Sequence, residues 1–312
     1  LRKKGYQITI YDRYDRPGGL LIYGIPNFKL EKSIVERRAS LLKDSGINFY
    51  LNTEVGKDIS FNQLREKYEA VLIATGVYEA RDIALPGVGL PNIVPAMTYL
   101  TASNRVGLGD KVANFSNGQL DASGKDVVVL GGGDTAMDCV RTATRQGASS
   151  VKCVYRRDRT NVPGSLREVK HAEEEGVEFI WLTTPNKFIG KNKVESLDVD
   201  RIELKEPDES GRKKPVILEN SSFNIKADLV IKALGFDPEN LPNLFNEENL
   251  KITKWGTLKV DFETMETSLE GVFAAGDIIR GASLVVWAIK DGRDVSQSII
   301  NYIHSNRKKR VA

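Results

Sequence analysis

The chain has 312 residues, of which 41% are hydrophobic and 28% charged, proportions that are typical of a globular protein with room for two domains. Its net charge of +3 is too small to predict a nucleic-acid partner, and no apolar run reaches the roughly 20 residues that cross a bilayer. Cys139 and Cys153 fall on a predicted helix and a predicted strand in apolar surroundings. We therefore expect no nucleic-acid or membrane partner, buried reduced thiols and a cytoplasmic location.

The first residues are typical of the second half of a dinucleotide-binding βαβ unit. Leu1 to Lys4 predict the last turn of a helix, Gly5 its C-cap, and residues 7–12 a short strand that ends in Asp12. In such units the acid binds a ribose hydroxyl, and a glycine-rich loop lies roughly 20 residues upstream. Because no such loop precedes Leu1 in this sequence, we expect the chain to be the C-terminal part of a longer polypeptide.

Two apolar strands end in Ala-x-Gly turns, "AVLIATG" at residues 70–76 and "DLVIKALG" at residues 228–235. Such turns let the backbone pass close to a nucleotide at the carboxyl edge of a parallel sheet. One turn follows each of two βαβ patterns, so the sequence predicts two similar nucleotide-binding domains.

Residues 126–155 form a complete βαβ pattern. A nearly all-apolar strand ends at Leu130, and Gly131, Gly133 and Ala136 follow in the G-x-G-x-x-A spacing before a helix and a second strand. The first glycine allows a tight turn, the second lets the backbone approach a pyrophosphate, and the small third residue lets the helix pack on the strand. This context favours a dinucleotide site over a purely structural glycine turn.

The end of the second strand indicates which dinucleotide binds. An NAD site has an acid at this position, whereas here Tyr155 is followed by Arg156 and Arg157. Guanidinium groups bind phosphate bidentately, so the pair favours the 2′-phosphate of NADP over the alternative of a solvated, charged turn. Arg159 is a weaker candidate for the same phosphate.

A further strand ends at Gly276 and Asp277, and Gly281 and Ala282 then lead into a helix. An acid in this position can hydrogen-bond a polyol chain, and a helix N-terminus can face an electron-rich ring. From the residues alone, an exposed acid in a turn explains Asp277 equally well.

Together these motifs resemble flavoproteins in which an FAD domain is interrupted by an inserted NADPH domain. Within that group the chain closely resembles the small (β) subunits of NADPH-dependent glutamate synthases. The matching stretches are residues 16–32, 127–148, 154–179, 230–236 and 272–294. The resemblance implies an α/β fold with two Rossmann-like domains: an FAD-binding domain of residues 1–112 and 236–312, incomplete at its N-terminus, and an NADPH-binding domain of residues 113–235.

The resemblance also implies two sets of binding residues. FAD would be held by Asp12, Gly19, Leu20, Lys29, Val55, Thr75, Gly76, Gly276, Asp277 and Ala282. NADPH would be held by Gly131, Gly133, Asp134, Thr135, Arg156, Arg157, Ala233, Leu234 and Gly235, with residues 161–165 forming a loop beside the same nucleotide. The family usually has Glu where this chain has Asp12, and the shorter acid keeps the same ribose chemistry.

The activity implied by the resemblance is electron transfer from NADPH through FAD and iron–sulfur clusters to a large (α) subunit. That partner would make glutamate from 2-oxoglutarate and glutamine-derived ammonia, a step of ammonia assimilation. The family carries its FAD pyrophosphate loop and cluster-binding cysteines ahead of the point that corresponds to Leu1. We therefore expect this chain to bind FAD weakly or not at all.

No catalytic side chain and no metal site are expected, because hydride transfer needs stacking geometry rather than an acid or base. The sequence also has no C-x-x-C pair for a redox disulfide. Two related enzyme types stay open, a ferredoxin–NADP transhydrogenase subunit and a pyrimidine-reducing domain. An inactive NADPH-binding fragment is the alternative from a different functional class.

Overall fold

The structure, a computed structural model, describes residues 1–207 and 213–311. Its strands are β1 (Ile8–Tyr11), β2 (Ile47–Tyr50), β3 (Val71–Ile73), β4 (Glu79–Ala80), β5 (Ile93–Pro95), β6 (Asp126–Leu130), β7 (Ser150–Tyr155), β8 (Glu178–Trp181), β9 (Thr183–Ile189), β10 (Ser196–Pro207), β11 (Lys213–Ile217), β12 (Phe223–Lys226), β13 (Leu229–Lys232), β14 (Phe236–Asp237) and β15 (Val272–Ala274).

The α-helices in the described ranges are α1 (Leu20–Tyr23), α2 (Lys32–Asp44), α3 (Phe61–Lys67), α4 (Ala96–Gly107), α5 (Ala113–Ser116), α6 (Asp134–Arg145), α7 (Leu166–Glu174), α8 (Leu241–Leu244), α9 (Asp277–Arg280) and α10 (Val285–Val311). None of these helices is long and apolar enough to span a membrane.

The chain divides into two compact units. Unit 1 contains residues 1–19, 35–79 and those from 236 onward, and unit 2 contains residues 20–34 and 80–235. Residues 20–34 and 80–112 therefore lie in unit 2, whereas the sequence placed both in the first predicted domain.

Strand pairing and side-chain contacts explain why residues 80–112 belong to unit 2. Strand β5 pairs in parallel with β13, with Val230 opposite Ile93. Helix α4 is held by the hydroxyl of Tyr99, which donates to Oε1 of Gln146 at 2.9 Å. Both contacts are long-range, and the local sequence pattern did not reveal them.

Unit 2 is built on a five-stranded parallel sheet in the order β5-β13-β6-β7-β8. Residues 127–130 of β6 are at most 1% exposed, as expected for a strand covered on both faces. A smaller antiparallel sheet in the same unit joins β11, β10 and β12, with β9 paired to β10. The sequence reading did not predict this second sheet.

Unit 1 contains two parallel strand pairs among the described residues, β1 with β2 and β3 with β15. Its core is aromatic and aliphatic: Phe61 stacks on Phe245 with ring centroids 4.7 Å apart, and helix α10 buries Val295 and Ile299. The carboxyl ends of β1, β3 and β15 carry the turns that the sequence associated with a nucleotide.

Ion pairs and an aromatic contact hold residues 20–34 within unit 2. The Lys29 ammonium lies 2.5 Å from Oδ1 of Asp138 and 2.6 Å from Oε2 of Glu168. The guanidinium of Arg141 pairs with the same Glu168 at 2.8 Å and lies 4.8 Å from the ring centroid of Phe28. Helices α6 and α7 thus anchor this segment through charge and packing together.

Replacing Arg141 with alanine is expected to destabilise unit 2 by about 2 kcal/mol. The reason is that Glu168 and Glu175 both pair with this largely buried guanidinium and would lose it. The loss stays moderate because Lys29 still pairs with Glu168, and Arg145 with Glu175. Urea unfolding followed by far-UV circular dichroism measures the change.

The matched control is Lys170→Ala, which removes an exposed pair with Glu174 on helix α7. Its side chain is 69% exposed, against 10% for Arg141, so it should cost less than about 0.5 kcal/mol. Equal losses in the two variants would contradict an anchoring role for Arg141.

Candidate functional site

The glycine loop of unit 2 joins β6 to α6 and brings two strand ends together. Gly131 has φ +147°, and a Cβ built on it would overlap the carbonyl oxygen of Ala233 and lie 3.0 Å from the carbonyl carbon. The Ala233 amide in turn donates to the Leu130 carbonyl at 2.8 Å. Only glycine allows this approach, so the structure places Gly131 and the Ala233–Gly235 turn side by side.

Helix α6 begins at Asp134, with Gly133 as its N-cap and no side-chain capping bond. The Asp134 carboxylate instead accepts a hydrogen bond from the Ser165 amide at 3.0 Å. The uncapped amides of this 12-residue helix suit an anion, and Thr135 lies in the same first turn.

The segment of residues 161–165 lies directly on the glycine loop. The Gly164 amide donates to the Gly132 carbonyl at 3.0 Å, and a Cβ on Gly164 would come within 2.9 Å of the same oxygen. The loop expected beside the nucleotide is therefore in contact with the glycine loop in unit 2.

The three arginines after β7 have different environments. Arg157 is only 8% exposed and its Nε donates to the Lys213 carbonyl at 3.3 Å, while Arg159 pairs with Glu173 at 2.5 Å. Within the described parts of the chain, Arg156 is exposed and has no hydrogen-bonding or ionic partner. The sequence predicted Arg156 and Arg157 as a pair, but their environments differ. Arg156 is exposed, whereas Arg157 is buried and bonded to a backbone carbonyl.

The two cysteines are buried, and one of them is hydrogen-bonded to the glycine loop. Cys139 and Cys153 are both buried and free, which confirms the expectation of buried thiols. The Cys153 thiol donates to the Gly131 carbonyl at 3.2 Å, and burial raises its pKa to about 12. A thiol in this state stays protonated at neutral pH, so Cys153 can keep donating to the loop. No sequence signal indicated this hydrogen bond.

In unit 1, Asp12 directly follows β1. Its amide donates to the Tyr50 carbonyl at 3.0 Å, and its Oδ1 accepts from the Tyr14 amide at 2.9 Å. Burial raises the pKa of the Asp12 carboxyl, and the Tyr14 amide partly opposes that rise. The carboxylate is therefore held in a fixed orientation at the strand end.

Tyr78 connects two of the predicted glycine turns in unit 1. Its hydroxyl lies 3.3 Å from a Cβ built on Gly19, and its ring lies 3.2 Å from one built on Gly76. Both glycines have positive φ, +52° and +75°, and Thr75 is exposed beside Gly76. Sequence reasoning missed Tyr78, although it comes only two residues after the Ala-x-Gly turn.

The Gly276–Asp277 turn is fixed by an ion pair with a buried carboxylate, which the sequence reading also missed. The Gly276 amide donates to Oδ2 of Asp291 at 3.2 Å, and Arg280 donates to both oxygens of that fully buried carboxylate, at 2.7 and 2.6 Å. Hydrogen bonding from Arg280 lowers the pKa of Asp291, whereas burial raises that of Asp277. Ala282 is exposed just before α10.

The residues predicted to hold FAD are divided between the two units. Leu20 and Lys29 lie in unit 2, whereas the remaining residues lie in unit 1: Asp12, Gly19, Val55, Thr75, Gly76, Gly276, Asp277 and Ala282. Val55 forms an isolated bridge with Ile59. The ion pairs of Lys29 with Asp138 and Glu168 are the physical reason for its placement.

Across residues 1–207 and 213–311, no group of three or more His, Cys, Asp or Glu side chains could hold a metal ion.

Comparison with known proteins identifies the family. The pyridine nucleotide-disulphide oxidoreductase family matches residues 1–292. The chain is 62% identical over its whole length to the glutamate synthase [NADPH] small chain of Azospirillum brasilense, of which it spans 65%. It is 60% identical over 303 residues to the putative small chain of Cereibacter sphaeroides, covering 97% of this chain and 73% of that one.

A likeness to solved structures shows the fold. Mycobacterium tuberculosis FprA, solved in complex with NADPH, matches with a TM-score of 0.78 and 20% identity, covering 97% of this chain and 79% of FprA. These matches confirm the predicted α/β class and the resemblance to glutamate synthase small chains. The chain belongs to the pyridine nucleotide-disulphide oxidoreductase family.

Proposed function

We propose that this chain is the NADPH-oxidising part of a flavoprotein of the glutamate synthase small-chain type. Unit 2 binds NADPH, unit 1 binds FAD, and the electrons pass by way of iron–sulfur clusters to a large partner subunit that makes glutamate. The observation that carries the proposal is the glycine loop of unit 2, with Gly131 against Ala233 and Arg156 where an NAD site has an acid. The high identity to glutamate synthase small chains supports the partner and the product.

The residues of unit 2 fit a dinucleotide. The Ala233 carbonyl fills the space that a Cβ on Gly131 would need, so the loop turns tightly at this glycine. The uncapped first turn of α6 offers amide donors for a pyrophosphate. Gly133 has no atom within 4 Å of a built Cβ, which leaves room for a ligand to approach its backbone. Arg156, exposed and without a partner among the described residues, is the cation for the 2′-phosphate.

The residues of unit 1 fit the hydroxyl-rich part of FAD. Asp12 and Asp277 are half-buried acids at the carboxyl ends of strands, and each is oriented by backbone hydrogen bonds, from the amides of Tyr14 and Ser283. Gly276 adopts φ +80° with its amide fixed by Asp291. That FAD binds only weakly to this chain stays a prediction, and direct titration decides it.

When bound, the nicotinamide supplies a hydride that the flavin accepts. The protein's own residues bind and orient the two cofactors and exclude water from them. We assign no catalytic acid or base. Cys139 and Cys153 are buried and free, and burial raises the pKa of both thiols, so these two residues are not suited to disulfide exchange. Two cysteines are also fewer than the four thiolates of an iron–sulfur cluster, so this chain's own thiols do not complete one.

Replacing Arg156 with alanine is expected to weaken NADPH binding about tenfold or more while leaving NADH binding unchanged. The physical reason is the loss of a charge-assisted phosphate contact, worth about 1.5–3 kcal/mol. Isothermal titration with both nucleotides measures the ratio of the two affinities.

Two further variants control this experiment. Arg201→Ala removes another exposed arginine of unit 2, one that lies over Phe223, and should leave the ratio unchanged. Arg157→Ala should lower stability more than it changes the ratio, because this side chain is buried on the Lys213 carbonyl. An unchanged ratio in Arg156→Ala would contradict the assignment of the phosphate site.

Asp12→Asn is expected to weaken FAD binding roughly tenfold without lowering the melting temperature. The amide oxygen of asparagine still accepts from the Tyr14 amide, so the turn is preserved while the charged acceptor for a ribose hydroxyl is lost. Quenching of flavin fluorescence during FAD titration gives the affinities.

Asp121→Asn is the matched control, because Asp121 also accepts the backbone amide two residues further on, that of Ser123, at 3.0 Å. It does not lie at a strand end, so flavin affinity should be unaffected. If both asparagine variants bind FAD with the measurable affinity of the unmodified chain, Asp12 is not the ribose ligand.

A further inference from the structure

Unit 2 contains a cavity of about 210 Å³, which we call the α4–α6 cavity. It is lined by Pro26, Asn27, Phe28 and Lys32, by part of helix α4, and by the C-terminal end of helix α6. Thr142, on its wall, comes eight residues after Asp134 on α6, about 12 Å along the helix axis. The cavity is therefore separate from the glycine loop and its dinucleotide.

The charge of the cavity wall is positive. Lys32 and Arg145 line it, and no carboxylate is among the described residues that do so. Arg145 is kept in place by Glu175, at 2.8 Å, and by its position 4.4 Å from the ring centroid of Phe28. The wall thus presents two cations, Arg145, which is already paired with Glu175, and Lys32.

Lys32 is an unusual cation, because it is only 6% exposed and is bonded to backbone carbonyls. Its Nζ donates to the carbonyls of Leu21, at 3.1 Å, and of Ile25. An ammonium group has three N–H donors, so a third remains for another acceptor. Burial lowers the pKa of Lys32 to about 8, although Asp138 partly opposes that fall. A buried anion next to Lys32 would stabilise its charged form.

Thr142 supplies a second polar group. The residue is 6% exposed, and its Oγ1 is buried without a hydrogen-bonding partner in the part of the chain that the structure describes. By contrast, the side chain of Gln146 in the same wall is already bonded to Tyr99, Ala122 and Ser103. A buried hydroxyl without a partner costs free energy unless a ligand or water satisfies it.

The rest of the wall is suited to an apolar group. Phe28 and Leu100 both line the cavity, and Leu100 is 2% exposed. Small-molecule sites commonly combine such apolar walls with a few convergent polar groups.

We propose that the α4–α6 cavity binds a small organic monocarboxylate. The carboxylate accepts hydrogen bonds from the Lys32 ammonium and the Thr142 hydroxyl, and its apolar stem packs against Phe28 and Leu100. The proposal rests on the lining of the cavity alone, and its test requires neither NADPH nor FAD.

Benzoate is the test ligand, and benzamide, of nearly the same shape but uncharged, is its comparison. Titration of the chain, followed by amide NMR shifts, should show saturable benzoate binding that is about tenfold tighter than benzamide binding. Equal affinity for the two compounds, or no saturable binding of benzoate, would overturn the proposal.

Two variants locate the site. Thr142→Val should weaken benzoate binding severalfold while raising or preserving the melting temperature of the free protein, because valine replaces a buried hydroxyl without a partner by an isosteric apolar group. Lys32→Met should weaken benzoate binding about tenfold. Lys125→Met is its matched control, because Lys125 also donates to a backbone carbonyl, that of Gly118, but does not line the cavity.

Unchanged benzoate affinity in Thr142→Val would overturn the assignment even if Lys32→Met failed to fold. Equal weakening in Lys125→Met and Thr142→Val would do so too, because it would show a general loss of structure rather than loss of a ligand contact.

Discussion

The close approach of β6 and β13 at Gly131 is the constraint on which the site in unit 2 depends. No side chain fits between the Gly131 backbone and the Ala233 carbonyl, so the two strand ends meet through backbone atoms alone. The Cys153 thiol then fixes the Gly131 carbonyl, and residue Gly164 covers Gly132 from the other side. The result is a loop whose amides are held in place before any ligand arrives, which reduces the ordering cost of binding.

Local sequence pattern was enough to predict the strand, turn and helix that form this loop. The apolar run of β6, the G-x-G-x-x-A spacing and the Ala-x-Gly turn at residues 233–235 are each short-range signals, and the α/β class that they indicated is confirmed. The sequence also placed Asp12 and Gly276 at the ends of strands, as the structure has them. That these strand ends and the loop of unit 2 bind nucleotides, and which ones, stays a proposal.

Contacts between distant parts of the chain could not be predicted from the sequence. The ion pairs of Lys29 place residues 20–34 in unit 2, and the pairing of β5 with β13 places residues 80–112 there as well. Arg157 follows Arg156 in sequence but is buried on a carbonyl 56 residues away. Asp291 is buried by its pairing with Arg280, and nothing in a single sequence marks a charged residue as buried.

Gly133→Ala tests the central claim, that the glycine loop of unit 2 binds the NADPH pyrophosphate. The backbone of Gly133 has φ −85°, and no atom lies within 4 Å of a built Cβ, so alanine should leave the free protein folded with its melting temperature nearly unchanged. The added methyl group would, however, occupy the space through which the pyrophosphate approaches the backbone. Calorimetric titration with NADPH should therefore show a large loss of affinity in a normally folded variant. Wild-type affinity in that variant would contradict the account.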